Sequence, residues 1–470
     1  MTNGSSDRLV AVLTAWVRDA SAGARLPSTR ALVAEHGVGP GTVQRALSVL
    51  AARGLVESRP GVGTFVRAQR APQAVDYGWQ VAALGAPRTD LRALPATMRT
   101  GAPDAIALHS GYPDPSLLPE RLVRSAFVRA ARQEAALQRP DATGLPELRS
   151  WFAAELAATV PDDVAPPTLK DVLVVPGSQS GLVAVFRSLV PAGGVLLVES
   201  PTYWGALLAA KQAGVRAVPV AHGPDGPDVD ALARAFAETG ARAFYGQPTF
   251  ANPTGTQWSP AVGQAVLDVV RQHGAFLVED DWAHDFGIDA DPRPLAARDD
   301  DGRVVYLRSL TKSVSPSVRV AAVVARGPVQ ERVRAVAGAE QLYVSGILQA
   351  ATLDVVTQPG WAAHRRTLRQ RLRDRRDLLL ASLAEHAPLV EVASVPAGGL
   401  HVWVRLPDGT DVDAVARDCE AHGLLVAPGS GWFAAEPTGA FLRIGFAGPD
   451  PSAFGQAARI LGERVASATP

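Results

Sequence analysis

Residues 309 to 319 read Ser-Leu-Thr-Lys-Ser-Val-Ser-Pro-Ser-Val-Arg, and Lys312 at their centre is one of three lysines, with Lys170 and Lys211, in a chain whose 46 basic residues are otherwise arginine. A guanidinium stays charged and is a poor nucleophile. A lysine amine loses its proton when stripped of water and can then condense with an aldehyde. Around Lys312 stand the hydroxyls of Ser309 and Thr311, and seven residues on is Arg319, a bidentate cation suited to phosphate. An amine for imine chemistry beside an anion-binding set is therefore the first candidate site.

Four other segments could converge on the same ligand. Gly177-Ser178-Gln179 follows an apolar run and opens the amphipathic stretch GLVAVFRSLV, so its backbone N–H groups and the Ser178 hydroxyl would face an anion at a helix N-terminus. Pro201-Thr202-Tyr203 would lay an aromatic ring over a flat ligand, although a packed loop tyrosine explains it equally well in isolation. Asn252-Pro253-Thr254-Gly255 is a turn whose amide could point inward. Asp280 ends LVED, where a buried carboxylate needs a cationic partner or takes up a proton. A protonated pyridine nitrogen would serve. Together the five segments match a phosphorylated pyridine aldehyde.

The elements that must position these groups are short apolar runs alternating with helix-like stretches after residue 105. DVLVVPG, GVLLVESP, RAFYGQP, AFLVED and VVYLRSL each read as a buried parallel strand ending in a polar or Gly/Pro turn. In such α/β sheets, ligands gather at the carboxyl ends of the strands, where every candidate above lies. At 470 residues the chain is long enough for two or three compact units. The single cysteine, Cys419, excludes an intramolecular disulfide, and the scattered histidines give no metal-ligand spacing, so no metal is expected. With no apolar leader and no run of about twenty apolar residues, a cytoplasmic protein with no membrane partner is expected.

Net charge is zero, yet residues 1–70 carry nine arginines against four carboxylates, a local +5. A basic head on a mildly acidic body suits a polyanion partner. In this head, Leu9, Val10, Leu13, Trp16 and Val17 share one face of a first helix. Ser28 then caps a second helix ending near Glu35. Gly37 permits a turn, and Thr42 to Arg53 form a third helix burying Val43, Ala46, Leu47 and Leu50. LVESRPGVGTFV alternates about a Pro-Gly-Val-Gly turn, as a two-stranded wing would. Residues 71–104, with repeated Pro and Gly and no sustained period, read as a linker between this head (1–70) and the body (105–470).

Leu26-Pro27-Ser28-x-Arg30, Gly37-Val38, Thr42-Val43 and Gly61-x-Gly63 resemble the winged helix-turn-helix of the GntR superfamily. The resemblance implies that Arg30 contacts phosphate, that Thr42, Gln44 and Arg45 lie at the groove of double-stranded operator DNA, and that Gly63 lets the wing approach the minor groove. Gly39, Pro40 and Gly41 stand where the family usually has side-chain donors, so those contacts do not carry over.

The body resembles the fold type I, aspartate-aminotransferase-like pyridoxal phosphate (PLP) proteins, through Gly-Ser-Gln, Pro-x-Tyr, Asn-Pro-Thr-Gly, the strand-end Asp and Ser-x-x-Lys-x6-Arg in the family's order. That implies an α/β PLP domain with large and small subdomains. Lys312 would form the Schiff base, Asp280 would pair with the pyridine nitrogen and Asn252 would bond the ring oxygen. Tyr203 would stack on the ring, while Gly177, Ser178, Gln179, Ser309, Thr311 and Arg319 would surround the phosphate. Arg443, in Phe441-Leu442-Arg443-Ile444-Gly445-Phe446, would bind a ligand α-carboxylate. Head and body together resemble the MocR family of regulators, which implies a head-to-tail homodimer that senses PLP or an amino compound. Trp282 and Arg139 stand where the family usually has tyrosines.

Three readings compete: a PLP-binding transcription regulator, a working aminotransferase with an appended head, and a fold that has lost its cofactor. Retention of Lys312, Asp280, Asn252 and Arg319 argues against the third. The DNA head, and the absence of a phenol at Trp282, favour the first.

Overall fold

A computed structural model of the chain describes residues 5–67, 78–84, 98, 101–102, 104–448 and 450–468. It divides into two compact units, residues 1–87 and 88–470.

In the first unit, α1 (Ser5–Asp19), α2 (Thr29–His36) and α3 (Pro40–Ala52) precede a hairpin of β1 (Val56–Arg59) and β2 (Gly63–Val66). Ser28 Oγ accepts the Ala31 N–H at the start of α2, and Gly37, at φ 63°, ends that helix in the left-handed region that glycine tolerates. The third helix begins two residues before the expected Thr42, with Gly39 as its cap and Pro40 at its first position, where a missing N–H costs nothing. Leu13, Leu32, Val43 and Leu50 form its core, each contributing about 1.5–3 kcal/mol by burial. Trp16 departs from the expected face and is 37% exposed, because Leu9, Val10, Leu13 and Val17 already fill the contact with α3. The wing strands pair antiparallel from Val56 opposite Val66 to Arg59 opposite Gly63, and Arg25 adds a bridge to Phe65.

Most of the expected linker lies outside the described residues, but it contains a short helix, Gly78–Leu84, that a reading of Pro and Gly content missed.

The large subdomain of the second unit is built on an eight-stranded sheet. Four of the five expected strands, Val195–Ser200, Ala243–Gly246, Phe276–Asp281 and Val304–Ser309, form its parallel centre. The fifth, Val172–Val175, pairs only with Ala321–Val324, and antiparallel. That strand also pairs antiparallel with Val304–Ser309, so Val172–Val175 still points the same way as the centre. Ala321–Val324 and Arg216–Gly223, which lies next to the edge strand Gly226–Pro227, were not anticipated; the apolar run of the latter is broken by Pro219, and only one of its side chains is fully buried. Helices cover both faces, leaving two apolar layers, one around Phe244, Leu277 and Val304 and the other around Phe186, Tyr245 and Val278. Strand residues alternate between the layers, so the runs read as continuously apolar.

The small subdomain sets a four-stranded antiparallel sheet, with His401–Arg405 and Phe441–Gly445 at its centre, against the helices Pro359–His386 and Phe454–Ala468.

Candidate functional site

The carboxyl ends of the parallel strands open into a cavity of about 350 Å3 lined by Ser178, Gln179, Tyr203, Asn252, Asp280, Trp282, Ser309, Thr311, Lys312, Arg319 and Arg443. All of these residues are candidates from sequence, and they come from segments as far apart as 178 and 443. Gly177 lies beside Arg319 at the same end.

At one end of the cavity, the helix Ser178–Leu189 starts after Gly177, whose φ of 90° is strained for any other residue. A Cβ on Gly177 would lie 2.7 Å from Arg319 Nη2, so the missing side chain lets the guanidinium lie across the helix N-terminus. Arg319 Nη2 donates to Pro176 O at 3.2 Å. The Ser178 and Thr311 hydroxyls are buried without a partner, while Ser309 Oγ accepts the Thr311 N–H. Unspent donors, a cation and free helix N–H groups make an anion cradle. Gln179 departs from its expected role there. Its Nε2 donates to Gly205 O at 2.7 Å and its Oε1 accepts Tyr203 O–H at 3.4 Å, so its side chain positions the tyrosine. Gly205 in turn has no Cβ because the Tyr203 ring fills that space.

Asp280, 1% exposed, accepts from Tyr245 O–H at 2.8 Å and Gln247 Nε2 at 2.9 Å on Oδ2, whereas Oδ1 is buried with no partner. Burial raises its pKa, opposed by those two hydrogen bonds and by Lys312. An acceptor left open at the cavity suits a ring N–H.

Lys312 Nζ stands 4.1 Å from the centre of the Trp282 ring and 6.0 Å from that of Tyr112. Enclosure lowers its pKa to about 7, helped by the Arg443 charge and opposed by Asp280. Near neutral pH much of it is the free amine. Trp282 stacks on the buried His401 at 5.6 Å, and its indole N–H has no partner.

Arg443, 1% exposed, donates from Nη1 to Asn252 Oδ1 at 3.3 Å and from Nη2 to His109 O at 2.6 Å, with the Trp432 ring 5.1 Å from its guanidinium carbon. Burial lowers its pKa to about 10, which leaves it charged at neutral pH. Among the described residues it has no carboxylate partner. Asn252 Oδ1 also accepts Trp432 Nε1–H at 3.3 Å, so its NH2 is the group left to donate.

Sequence reasoning missed Met98, Gly111, Tyr112, Trp204, Leu208 and Gln247, which also line the cavity. Gln247 follows a predicted strand and was findable by that rule. The others lie on a loop and a helix whose local pattern says nothing of a site.

On the head, Arg30, Gln44 and Arg45 are exposed and Thr42 half-exposed. Gly63, at φ 140°, lies under the Arg25 guanidinium. Arg59 is held by Glu57 and by the Phe65 ring, 4.8 Å away.

Partnerless hydroxyls, the open Asp280 oxygen, the cradle that only glycine at 177 permits and the enclosed Lys312 amine in the same cavity fit a phosphorylated pyridine aldehyde.

Residues 104–461 match the model of the aminotransferase class I and II family, and residues 6–66 that of the bacterial regulatory proteins of the gntR family. The chain belongs to the aminotransferase class I and II family and carries a GntR-type helix-turn-helix head. Pyridoxal 5'-phosphate is the cofactor of this fold, and DNA is the partner of such a head. The chain is 29% identical to a probable rhizopine catabolism regulatory protein, MocR, of Rhizobium meliloti, over 91% of this chain and 86% of that protein. It is 30% identical to a 2-aminoadipate transaminase of Thermus thermophilus, over 78% and 91%. The solved structure of α-aminoadipate aminotransferase from Thermus thermophilus, complexed with N-(5'-phosphopyridoxyl)-L-leucine, superposes with a TM-score of 0.72 at 27% identity, covering 78% of this chain and 93% of that one. No helix among the described residues is long and apolar enough to cross a membrane.

Proposed function

We propose that this protein is a cytoplasmic, PLP-binding transcription regulator, a head-to-tail homodimer in which the cofactor pocket of the body controls operator binding by the head. The observation that carries the reading is the enclosed Lys312, which shares one cavity with Asp280, Arg319 and Arg443 in a chain that also bears a GntR-type head. Bound PLP supplies an aldehyde that condenses with amines and a ring that withdraws electrons from the carbon so attached.

The chain's residues would then divide the work. The 178 helix, Ser178, Ser309, Thr311 and Arg319 bind the phosphate. Tyr203 covers one face of the ring, Asp280 holds the proton on its nitrogen, and the Asn252 NH2 donates to its oxygen. Lys312, with a proton affinity near neutrality, gives and accepts protons at Nζ. Arg443 binds an α-carboxylate and orients the amine of an amino compound toward Lys312. Trp282 excludes water but has no phenol to donate, which disfavours fast turnover. On the head, Arg30 contacts phosphate, while Thr42, Gln44 and Arg45 read the groove.

Similarity to a transaminase and retention of Lys312 and Arg443 favour a second reading, residual aminotransferase activity. Footprinting on the DNA upstream of the protein's own gene, with and without PLP and an amino acid, tests the proposal. A footprint that responds to neither, in a protein that converts amino acids to keto acids, would replace regulation by catalysis.

A further inference from the structure

Asp280 Oδ2 takes two hydrogen bonds from one neighbouring strand end. Tyr245 and Gln247, two residues apart and so on one face, donate to it at 2.8 and 2.9 Å. The other end of the Gln247 amide reaches the opposite way, where Oε1 accepts the Asn252 N–H at 2.8 Å. One side chain, 2% exposed, thus ties the residue read as the partner of the ring nitrogen to the residue read as the partner of the ring oxygen.

Gln247 is itself held. Glu199, also 2% exposed, lies on the adjacent strand Val195–Ser200 and accepts the Gln247 N–H on Oε2 at 2.7 Å. Its Oε1 accepts the Trp258 indole N–H at 2.9 Å and lies 3.0 Å from His222 Nδ1. The Trp258 backbone N–H closes the loop on Pro248 O at 2.9 Å, so a single carboxylate grips both ends of the loop that carries Asn252. Gly246 makes room for the grip: a Cβ there would be 2.7 Å from the Trp258 ring and 3.2 Å from Glu199 Oε2. A carboxylate removed from water needs donors in its place, and Glu199 draws them from this loop and from the neighbouring strand.

We propose that Gln247 is a positioning residue for the cofactor ring, held in place by Glu199, so that the hydrogen bond to the ring oxygen and the proton on the ring nitrogen are set together. The inference rests on PLP binding as proposed above. Loss of the Gln247 amide frees Asn252 to swing away from the ring oxygen. It also leaves Asp280 with one donor fewer, so the carboxylate draws the ring proton toward itself. Both changes disfavour the anionic ring oxygen and move the titration of the visible absorbance to higher pH. Tyr203, Lys312 and Arg443 on the cavity side, Tyr245 and Asp281 around Asp280, and His222 beside Glu199 are the other titratable groups facing this network. None of them is altered in the variants below, so differences between variants report the network.

A pH titration of the PLP-loaded full chain, read by visible absorbance, tests it. Gln247→Met and Glu199→Gln should each raise the midpoint by about half a pH unit or more. In an Asn252→Ala background both shifts should shrink by at least about half, because residues that act through Asn252 do not add to its removal. Gln247→Glu keeps Oε1 and is read where Gln247→Met does not fold; it sets a second carboxyl against Asp280 Oδ2 and should also raise the midpoint. Val198→Ala, a buried neighbour of Glu199 outside the network, should lower the thermal midpoint and leave the titration unchanged. An unchanged titration in the Gln247 variants, or shifts that add fully to that of Asn252→Ala, overturns the positioning role and leaves PLP binding standing. A shift in Val198→Ala as large as that in Gln247→Met assigns the effect to packing and overturns it too. A chain that takes up no PLP overturns the cofactor reading, and this inference with it.

Discussion

The guanidinium of Arg319 occupies the space that a side chain at residue 177 would need, with Nη2 2.7 Å from where its Cβ would be. A backbone peculiarity and a cation are thus one device: the positive φ of Gly177 turns the chain into the helix, and the absent side chain admits the charge.

Gly177→Ala should therefore expel Arg319 from the helix N-terminus. Strain at φ 90° costs about 1–2 kcal/mol of stability. PLP affinity should fall by about tenfold or more through loss of a charge-assisted phosphate contact. Absorbance titration with PLP, alongside thermal unfolding, separates the two effects. Unchanged affinity would remove Arg319 from the phosphate site.

Lys312 must lose its proton before it attacks an aldehyde. With its pKa drawn down to about 7, the rate of PLP uptake by the cofactor-free protein should rise with pH and level off above a midpoint near 7, instead of climbing toward the usual lysine range. Arg443→Gln removes a charge that disfavours the ammonium, so its midpoint should move up. Stopped-flow mixing from about pH 5 to about pH 9, which brackets the expected midpoint, checks both directions.

Trp282 lies over the Lys312 amine and carries an indole N–H with no partner. Trp282→Tyr would put a phenol in this place, adding a donor to the ring oxygen beside Asn252 and stabilising its anionic form. The pH at which the visible absorbance of the PLP-loaded protein titrates should then move down. If the two proteins titrate together, the side chain at 282 does not touch the cofactor.

The exposed arginines of the head should separate by role. Arg30→Ala should weaken specific and nonspecific DNA alike and reduce the salt dependence by about one phosphate's worth. Arg45→Ala should cost about 1–3 kcal/mol on operator DNA and little on random DNA. Binding isotherms at two salt concentrations on both DNAs check the division. Equal losses for both variants on both DNAs would contradict it.

Much of this was legible in the sequence because the signals are local. Ser28 and Gly37 bracket α2 by the chemistry of a cap and a left-handed turn. The parallel strands show as apolar runs because both of their faces are buried. Lys312 stood out because nearly every other basic residue in the chain is arginine, and Asp280 because a carboxylate at the end of such a run calls for a partner.

Only the tertiary structure decided which distant segments share the cavity and what each side chain is free to do. Gln179, read as a phosphate ligand, is engaged by Gly205 and Tyr203 across 24 to 26 residues. Trp16 falls outside its helix's buried face because that face was already filled. Tyr112, Trp204 and Leu208 enter the cavity through the approach of a loop and a helix that have no periodicity marking them. Periodicity and capping record the preferences of a few neighbouring residues. Which carboxylate stays unpaired, which amine loses water and which glycine makes room are set by atoms brought together from across the chain, where burial and Coulomb interaction act through space.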